Sequence, residues 1–232
     1  MEIEPNNLSS LNFQQDWHWQ LKHRITTLEQ LEKIVNITFE EKRAISHSQN
    51  RLRMAITPYF ASLIDKNNPE CPIRKQCVPS LEEFKTSVNE FVDPCGEEKD
   101  SPVPGLVHRY PDRVLLIVTD MCATYCRFCT RRRIVGGKET TIANEDFEQA
   151  VKYIYENTTI RDVLVSGGDP LLLPTEKLEY YLKTLREIKH VEILRIGTRV
   201  PVTLPQRITE ELCDMLKKYH PLYISIHCNH PK

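Results

Sequence analysis

The sequence predicts an α/β protein: an incomplete parallel barrel of four strands, preceded by a helical domain. Three observations predict it. From Arg113 onward, short β-branched apolar runs alternate with amphipathic helical segments, and repeated β-then-α units build a parallel sheet with right-handed crossovers. Ahead of them, roughly the first hundred residues read as helical. The chain then stops at "HCNHPK", just after the fourth strand, which leaves an open sheet edge and predicts an N-terminal fragment of a longer protein. The alternation alone fits a doubly wound sheet as well as a barrel. The expected division is a helical domain with its connector over 1–108 and a core over 109–232, truncated after strand four.

The elements follow in order. "DWHWQLKHRITTLEQLEKIV" places Trp17, Leu21, Leu28, Leu31 and Val35 at helical spacings. Thr38 with Glu41, and Ser80 with Glu83, have the form of capping boxes. Pro58 limits any helix through "NRLRMAITPYFASLID". "DSPVPGLVHRYPDR" reads as an ordered connector. "RVLLIVTD" (113–120) then reads as a buried strand. "NEDFEQAVKYIYEN" is a helix with Asn144 as its N-cap and Phe147, Val151, Ile154 and Tyr155 on one face. "RDVLVSGGD" is a strand ending in a glycine turn. "TEKLEYYLKTLREIKH" aligns Leu178, Leu182, Leu185 and Ile188. "VEILRIGTR" is the third strand. "ITEELCDMLKKYH" turns Leu212, Met215, Leu216 and Tyr219 inward, and "PLYISIHCN" is the fourth strand.

At 40% hydrophobic and 27% charged residues the composition is that of a soluble globular protein. No run approaches a membrane span, and the N-terminus has acidic residues where an export signal has basic ones. We read the chain as cytoplasmic, with no membrane partner. A net charge of −1 gives no reason to expect nucleic acid. In a reducing compartment, clustered thiols among the eight cysteines point to metal binding or catalysis rather than disulfides.

The cluster is "DMCATYCRFCTRRR", in which Cys122, Cys126 and Cys129 stand in a C-x₃-C-x₂-C spacing after the first strand. Loops at the C-terminal ends of parallel strands are where α/β folds build their sites. Three thiolates can hold three irons of a four-iron cluster and leave the fourth open to a small molecule. A zinc site completed by a distant Cys or His, or three unrelated core cysteines, are the other readings. Cys71, Cys77, Cys95, Cys213 and Cys228 read as packing residues or free thiols.

With this motif the sequence resembles the radical S-adenosylmethionine enzymes. "SPVPGLVHRYPDRVLLIVTDMC", "CTRRR", "RDVLVSGGD", "LPQRIT" and "NHP" further resemble the lysine 2,3-aminomutase family, from about Trp17 to the last residue. The resemblance implies a partial barrel of the radical S-adenosylmethionine type. It implies a [4Fe–4S] cluster, S-adenosyl-L-methionine and pyridoxal 5′-phosphate as cofactors, and a small amino acid as substrate. It implies an electron donor for the cluster and is compatible with a homo-oligomer. The implied reaction moves an amino group between adjacent carbons, L-lysine to β-lysine first among the candidates. Related aminomutases acting on glutamate, arginine or a protein-bound lysine, and a non-catalytic iron–sulfur or zinc module, are the alternatives.

The resemblance also implies roles. Cys122, Cys126 and Cys129 would ligate the cluster. Ser166, Gly167, Gly168 and Asp169 match the loop that binds the methionine part of S-adenosylmethionine. The plain reading of "SGGD" is a tight turn needing glycine freedom, and both can hold at once. Arg131 matches the arginine that pairs with the substrate carboxylate, while Arg132 and Arg133 read as solvated charges. Arg109, Tyr110 and Arg113 resemble the segment that holds the pyridoxal phosphate group. Arg195 and His230, at strand ends, are pocket candidates. Phe128 stands where several family members have histidine, and can pack on the adenine. The family's Schiff-base lysine lies downstream of the last residue, and neither Lys138 nor Lys152 matches it.

Overall fold

The computed structural model describes residues 16–48, 52–85 and 90–231. The helical segment is a series of short helices. α1 (Trp17–Lys22) starts where the Asp16 side chain accepts from the His18 amide, and α2 (Leu28–Glu32) starts at a capping box of Thr27 and Gln30. The single helical run expected over both is broken because Ile25 pairs with Ile56 as an isolated antiparallel bridge. Thr38 and Glu41 exchange the expected capping hydrogen bonds ahead of α3 (Phe39–Ser48). Pro58 opens α4 (Pro58–Ser62), where its missing N–H costs nothing. α5 spans Pro72–Cys77, and the box of Ser80 and Glu83 opens a 3₁₀ turn at Leu81–Phe84. Leu31, Ile45, Met54, Ile56, Phe60, Ile73 and Cys77 form the core of this part.

The expected connector holds a strand. β1 (Leu106–Tyr110) pairs antiparallel with β2 (Arg113–Thr119), and runs across the expected boundary at 108/109. The alternation beyond it is as the sequence predicts: α6 (Asn144–Glu156), β3 (Asp162–Gly167), α7 (Thr175–Arg186), β4 (Ile193–Thr198), the short α8 (Val200–Thr203), α9 (Glu210–Lys217) and β5 (Leu222–Ile226). β2, β3, β4 and β5 are neighbours in chain order, and every pairing among them is parallel. A doubly wound sheet reverses its strand order at a switch point. An order without reversal is that of a barrel wall, so the barrel reading holds.

Period-two alternation gives the sheet two faces. Val114, Leu116 and Val118 of β2, Val163 and Val165 of β3, and Leu194 and Ile196 of β4 share one core with Phe147, Ala150 and Ile154 of α6, Leu178, Leu182 and Leu185 of α7, and Leu212 and Met215 of α9. Two details differ from expectation at α6. Ala143 holds the cap position and Asn144 is the first helical residue. Tyr155 is 67% exposed, and Ala150, with no exposed surface, takes its place on the buried face. On the other face, register aligns Leu115 with Leu164 and Arg195, and, one step toward the strand ends, Ile117 with Ser166. Gly197 continues that upper row beside Ser225 of β5. These two rows become the floors of two cavities. No helix among the described residues is long and apolar enough to cross a membrane.

Candidate functional site: a cysteine-lined cavity at the strand ends

Two loops face each other at the C-terminal ends of β2 and β3. The first begins at Asp120, whose carboxylate accepts from the Thr140 amide and whose carbonyl accepts from Gly136 N. Gly136 has φ +79, which closes the loop in a left-handed turn. Inside it the Tyr125 amide donates to Ala55 O, and the Arg127 amide to Gln76 O. The buried Arg127 side chain forks onto Glu83 at 2.7 and 2.9 Å and donates to the Leu52 and Arg53 carbonyls. Glu139 accepts from Arg24 and Tyr125 and pairs with Arg53. Burial pushes its carboxyl up, but hydrogen bonds from Arg24 and Tyr125 and the charges of Arg24 and Arg53 outweigh that and bring it down to about 2.

The second loop is Ser166 to Asp169. Gly167 has φ +124, and a Cβ there would lie 2.4 Å from Thr119 O. A Cβ on Gly168 would lie 2.2 Å from Met121 O. Both glycines are therefore required by the close approach of the two loops, and backbone bonds run across it: Gly168 N to Thr119 O at 2.6 Å and Asp169 N to Met121 O at 2.7 Å. The Asp169 carboxylate accepts from the Thr198 hydroxyl (2.6 Å), the Leu171 amide (3.2 Å), the Arg199 amide (2.7 Å) and the Val200 amide (3.1 Å). Burial raises its pKa to about 6 against these bonds, so it is ionised at neutral pH.

Between the loops lies a cavity of about 430 Å³, within the range of small-molecule sites. Cys122, Cys126, Cys129, Arg131, Ser166, Gly167, Gly168 and Asp169 all line it, so the structure brings the cysteine motif and the "SGGD" turn to one place. All eight cysteines are free thiols. Burial pushes the Cys122, Cys126 and Cys129 thiols up; the Asp169 charge adds to this at Cys122, and the Arg199 cation opposes it at Cys126. Among the described residues, no group of three or more His, Cys, Asp or Glu side chains is gathered so as to hold a single metal ion.

Of the arginines of "CTRRR", Arg132 is exposed, as expected, while Arg131 and Arg133 are drawn into ion pairs. Arg131 Nε and Nη2 both reach Glu97 Oε1 at 2.8 Å. Arg133, expected in solvent, is held by Asp93, Glu97 and Glu98, because the segment around Cys95 folds back over it. Arg132 donates to the Arg127 and Cys129 carbonyls.

A second cavity, of about 390 Å³, sits over the lower row of the same sheet face. Arg109, Tyr110, Arg113 and Arg195 line it with Glu97, Leu115 and Leu164. Arg113 is paired with Asp112 at 2.9 Å and Arg195 with Asp162 at 2.8 Å. Arg109 donates to Cys95 O and stands 3.7 Å from Asp100.

Among the cavity residues that sequence reasoning did not single out are two with ionisable side chains. Arg199 follows β4 directly, and His227 follows β5 directly. His230, the histidine singled out from the sequence, is not among the cavity residues. The available signal was position: each missed residue is the first beyond the C-terminal end of its strand. Phe128 is 43% exposed; its ring lies edge-on to His227, with centroids 5.7 Å apart, and beneath the Arg199 guanidinium at 5.5 Å.

The Radical SAM superfamily model matches residues 116–232, which hold the cysteine loop and every strand from the second half of β2. The chain belongs to the radical S-adenosylmethionine superfamily. Within it, the chain is 53% identical to the L-lysine 2,3-aminomutase of Fusobacterium nucleatum, over 94% of this chain and 51% of that protein. It is 54% identical to the L-lysine 2,3-aminomutase of Clostridium subterminale, over 93% and 52%. It is 46% identical to the glutamate 2,3-aminomutase of Clostridioides difficile, over 97% and 54%. The chain spans about half the length of the curated relatives it matches.

Proposed function

We propose that this chain carries the cluster and S-adenosylmethionine site of a 2,3-aminomutase that moves an amino group between adjacent carbons of an amino acid, with L-lysine as substrate. The observation that carries the proposal is the shared cavity: three unpaired thiols in C-x₃-C-x₂-C spacing face the "SGGD" turn at the ends of parallel strands. Several L-lysine 2,3-aminomutases at 50% identity or more support lysine over glutamate.

The donor set fits a four-iron cluster. It offers three soft sulfur ligands, one for each of three irons, in a cavity with room beside them. Cys122, Cys126 and Cys129 would hold the cluster, and Ser166 with the glycine backbone would meet the amino acid portion of S-adenosylmethionine. When bound, these cofactors supply one-electron and hydrogen-abstraction chemistry that no side chain supplies. The protein's own part is to fix the loops, and to keep water from the cavity.

Arg131 would receive the substrate carboxylate. Its Nε edge is held by Glu97, and its Nη1 carries no hydrogen bond among the described residues. The second cavity suits pyridoxal phosphate, because guanidinium groups match phosphate geometry and Arg109, Arg113 and Arg195 converge there. Each of them already has an acceptor, so phosphate binding there requires these pairs to rearrange.

The test is iron and sulfide analysis of the anaerobically reconstituted chain, with an assay for S-adenosylmethionine cleavage. We expect four irons per chain and reductive cleavage of the cofactor. Cys122→Ala, Cys126→Ala and Cys129→Ala should each lose the brown chromophore or make it labile. Full retention of four irons in any of these variants contradicts the ligand assignment.

A further inference from the structure

We propose that Arg199 sets the reduction potential of the iron–sulfur cluster, by donating a guanidinium hydrogen bond to the sulfur of Cys126. The proposal rests on the functional reading above and adds to it a residue outside the cysteine motif.

The geometry is specific. Arg199 is 7% exposed, and its Nη1 stands 2.7 Å from Cys126 Sγ. Nη2 donates to Gln76 Oε1. The guanidinium carbon lies over two rings, 5.4 Å from the centroid of Phe60 and 5.5 Å from that of Phe128. Its backbone is also fixed, because the Arg199 amide donates to Asp169 at 2.7 Å. Helical segment and cysteine loop therefore hold this side chain, and the glycine loop holds its backbone.

Buried arginines are balanced in two ways: among the described residues Arg207 donates to the Leu171 and Leu173 carbonyls and the Thr175 hydroxyl and has no carboxylate in ion-pair contact. Arg74 and Arg127 are also buried, and each is neutralised by a carboxylate, Glu41 and Glu83, at 2.7 Å. Arg199 has no carboxylate within ion-pair distance among the described residues, and its Nε is buried without a hydrogen-bond partner. A buried cation normally requires a partner charge. The ionisable side chain that its guanidinium hydrogen-bonds is Cys126, which becomes a thiolate when it ligates iron. The cation is thus matched to the ligated state of that cysteine.

The consequence is electrostatic. One-electron reduction adds a negative charge to the cluster. A fixed cation and an N–H donor at a ligating sulfur stabilise that charge more than the oxidised state, so they raise the potential. Removing them lowers it.

The experiment is an EPR-monitored redox titration of the full chain, reconstituted with iron and sulfide, without S-adenosylmethionine. Arg199→Gln keeps a donor and removes the charge. Arg199→Lys keeps the charge and loses the fork. We expect the one-electron reduction constant to fall at least tenfold in Arg199→Gln, a shift of about 59 mV, and by less in Arg199→Lys. A loaded Arg199→Gln with the wild-type potential overturns the proposal. If that variant fails to take up four irons, wild-type protein carrying ¹⁵N-labelled arginine decides: pulsed EPR of the reduced cluster must show a ¹⁵N coupling, and its absence overturns the proposal. A wild-type chain that takes up no four-iron cluster removes the functional reading and this inference together. A loaded wild type whose potential the variants share removes this inference alone.

Discussion

The two walls of the cysteine-lined cavity are held in different ways. The wall after β2 is a long loop whose ties run far along the chain. Arg127 reaches Glu83 and the Leu52 and Arg53 carbonyls, Tyr125 reaches Ala55, and Glu139 gathers Arg24 and Arg53. The wall after β3 is a short turn, held by backbone contacts to its neighbour and by one carboxylate fastened to the end of β4. The difference assigns the helical segment a task. It does not line the cavity, yet it fixes where the three thiols stand. Charged ties of this kind hold a loop only while both partners remain, whereas a glycine turn held by close approach is most sensitive to added bulk.

The largest effect should come from breaking the long-range tie. Arg127→Met removes the Arg127 cation from the Glu83 carboxylate, whose side chain is 13% exposed, and losing one partner of a buried pair costs about 3–5 kcal/mol. Chemical denaturation should show that loss, and iron uptake should fall with it. A variant that keeps wild-type stability would mean that the helical segment does not hold the cysteine wall.

Acid acts on the same wall through Glu139. Its carboxyl is held at about 2, below its ordinary 4.5, so the folded state favours the ionised form. That contribution is fully present above pH 4.5 and is lost as the pH falls toward 2. For a side chain 19% exposed, it amounts to about 1–3 kcal/mol after allowance for screening by water. In unfolding measurements over this range, Glu139→Gln should lose the part of the acid slope due to this group. Identical slopes in the two proteins would remove Glu139 from the account.

The glycine wall responds to bulk instead. Gly168→Ala sets a methyl 2.2 Å from Met121 O and 2.7 Å from Met121 C, and these are backbone atoms that cannot rotate away. Overpacking costs about 1–3 kcal/mol, and this site belongs at the upper end. Because Met121 precedes Cys122, the strain passes to the cysteine wall, so iron loading should fall with stability in thermal melts. Unchanged loading would show that the two walls move independently.

The sequence made one wall more legible than the other, for a physical reason. The β2, β3, β4 and β5 strands, the cysteine spacing and the "SGGD" turn are local patterns, written in contiguous residues with period two or with glycines at a turn. β1 was hidden because prolines and a glycine around "LVHRY" read as connector, although β1 pairs with β2 and its His108 and Leu106 amides donate to the Asp100 and Val103 carbonyls. Arg199 and His227 carry no motif; their significance comes from strand ends brought together by the sheet. The ties of Arg127, Arg133 and Glu139 join residues that are distant in sequence or lie in polar stretches. A charge in such a stretch reads as solvated until the fold supplies its partner.

The smallest expected effect concerns the carboxylate that fastens the glycine wall. Thr198 gives Asp169 its shortest hydrogen bond, at 2.6 Å, and its hydroxyl oxygen also accepts from the Val200 amide at 3.0 Å. Thr198→Val keeps the shape of the side chain and removes the hydroxyl. Asp169 retains three amide donors, and the Val200 amide still donates to Asp169, so neither group is orphaned. The cost should be about 1 kcal/mol, that of one hydrogen bond. The sharper readout is titration. Burial already raises the Asp169 pKa to about 6, and the Thr198 hydroxyl is the foremost of the hydrogen bonds opposing that rise. Its removal should move the pKa further up, toward neutrality. A carboxyl with a raised pKa favours the folded state as the pH falls, so the variant should regain stability on mild acidification over a range beginning at higher pH than in the wild type. Carbon-13 NMR of the Asp169 carboxyl, in variant and wild type, measures this directly. A pKa that stays at the wild-type value would mean that the amides of Leu171, Arg199 and Val200 hold the carboxylate without the hydroxyl, and that the β3 turn is fastened to β4 by backbone alone.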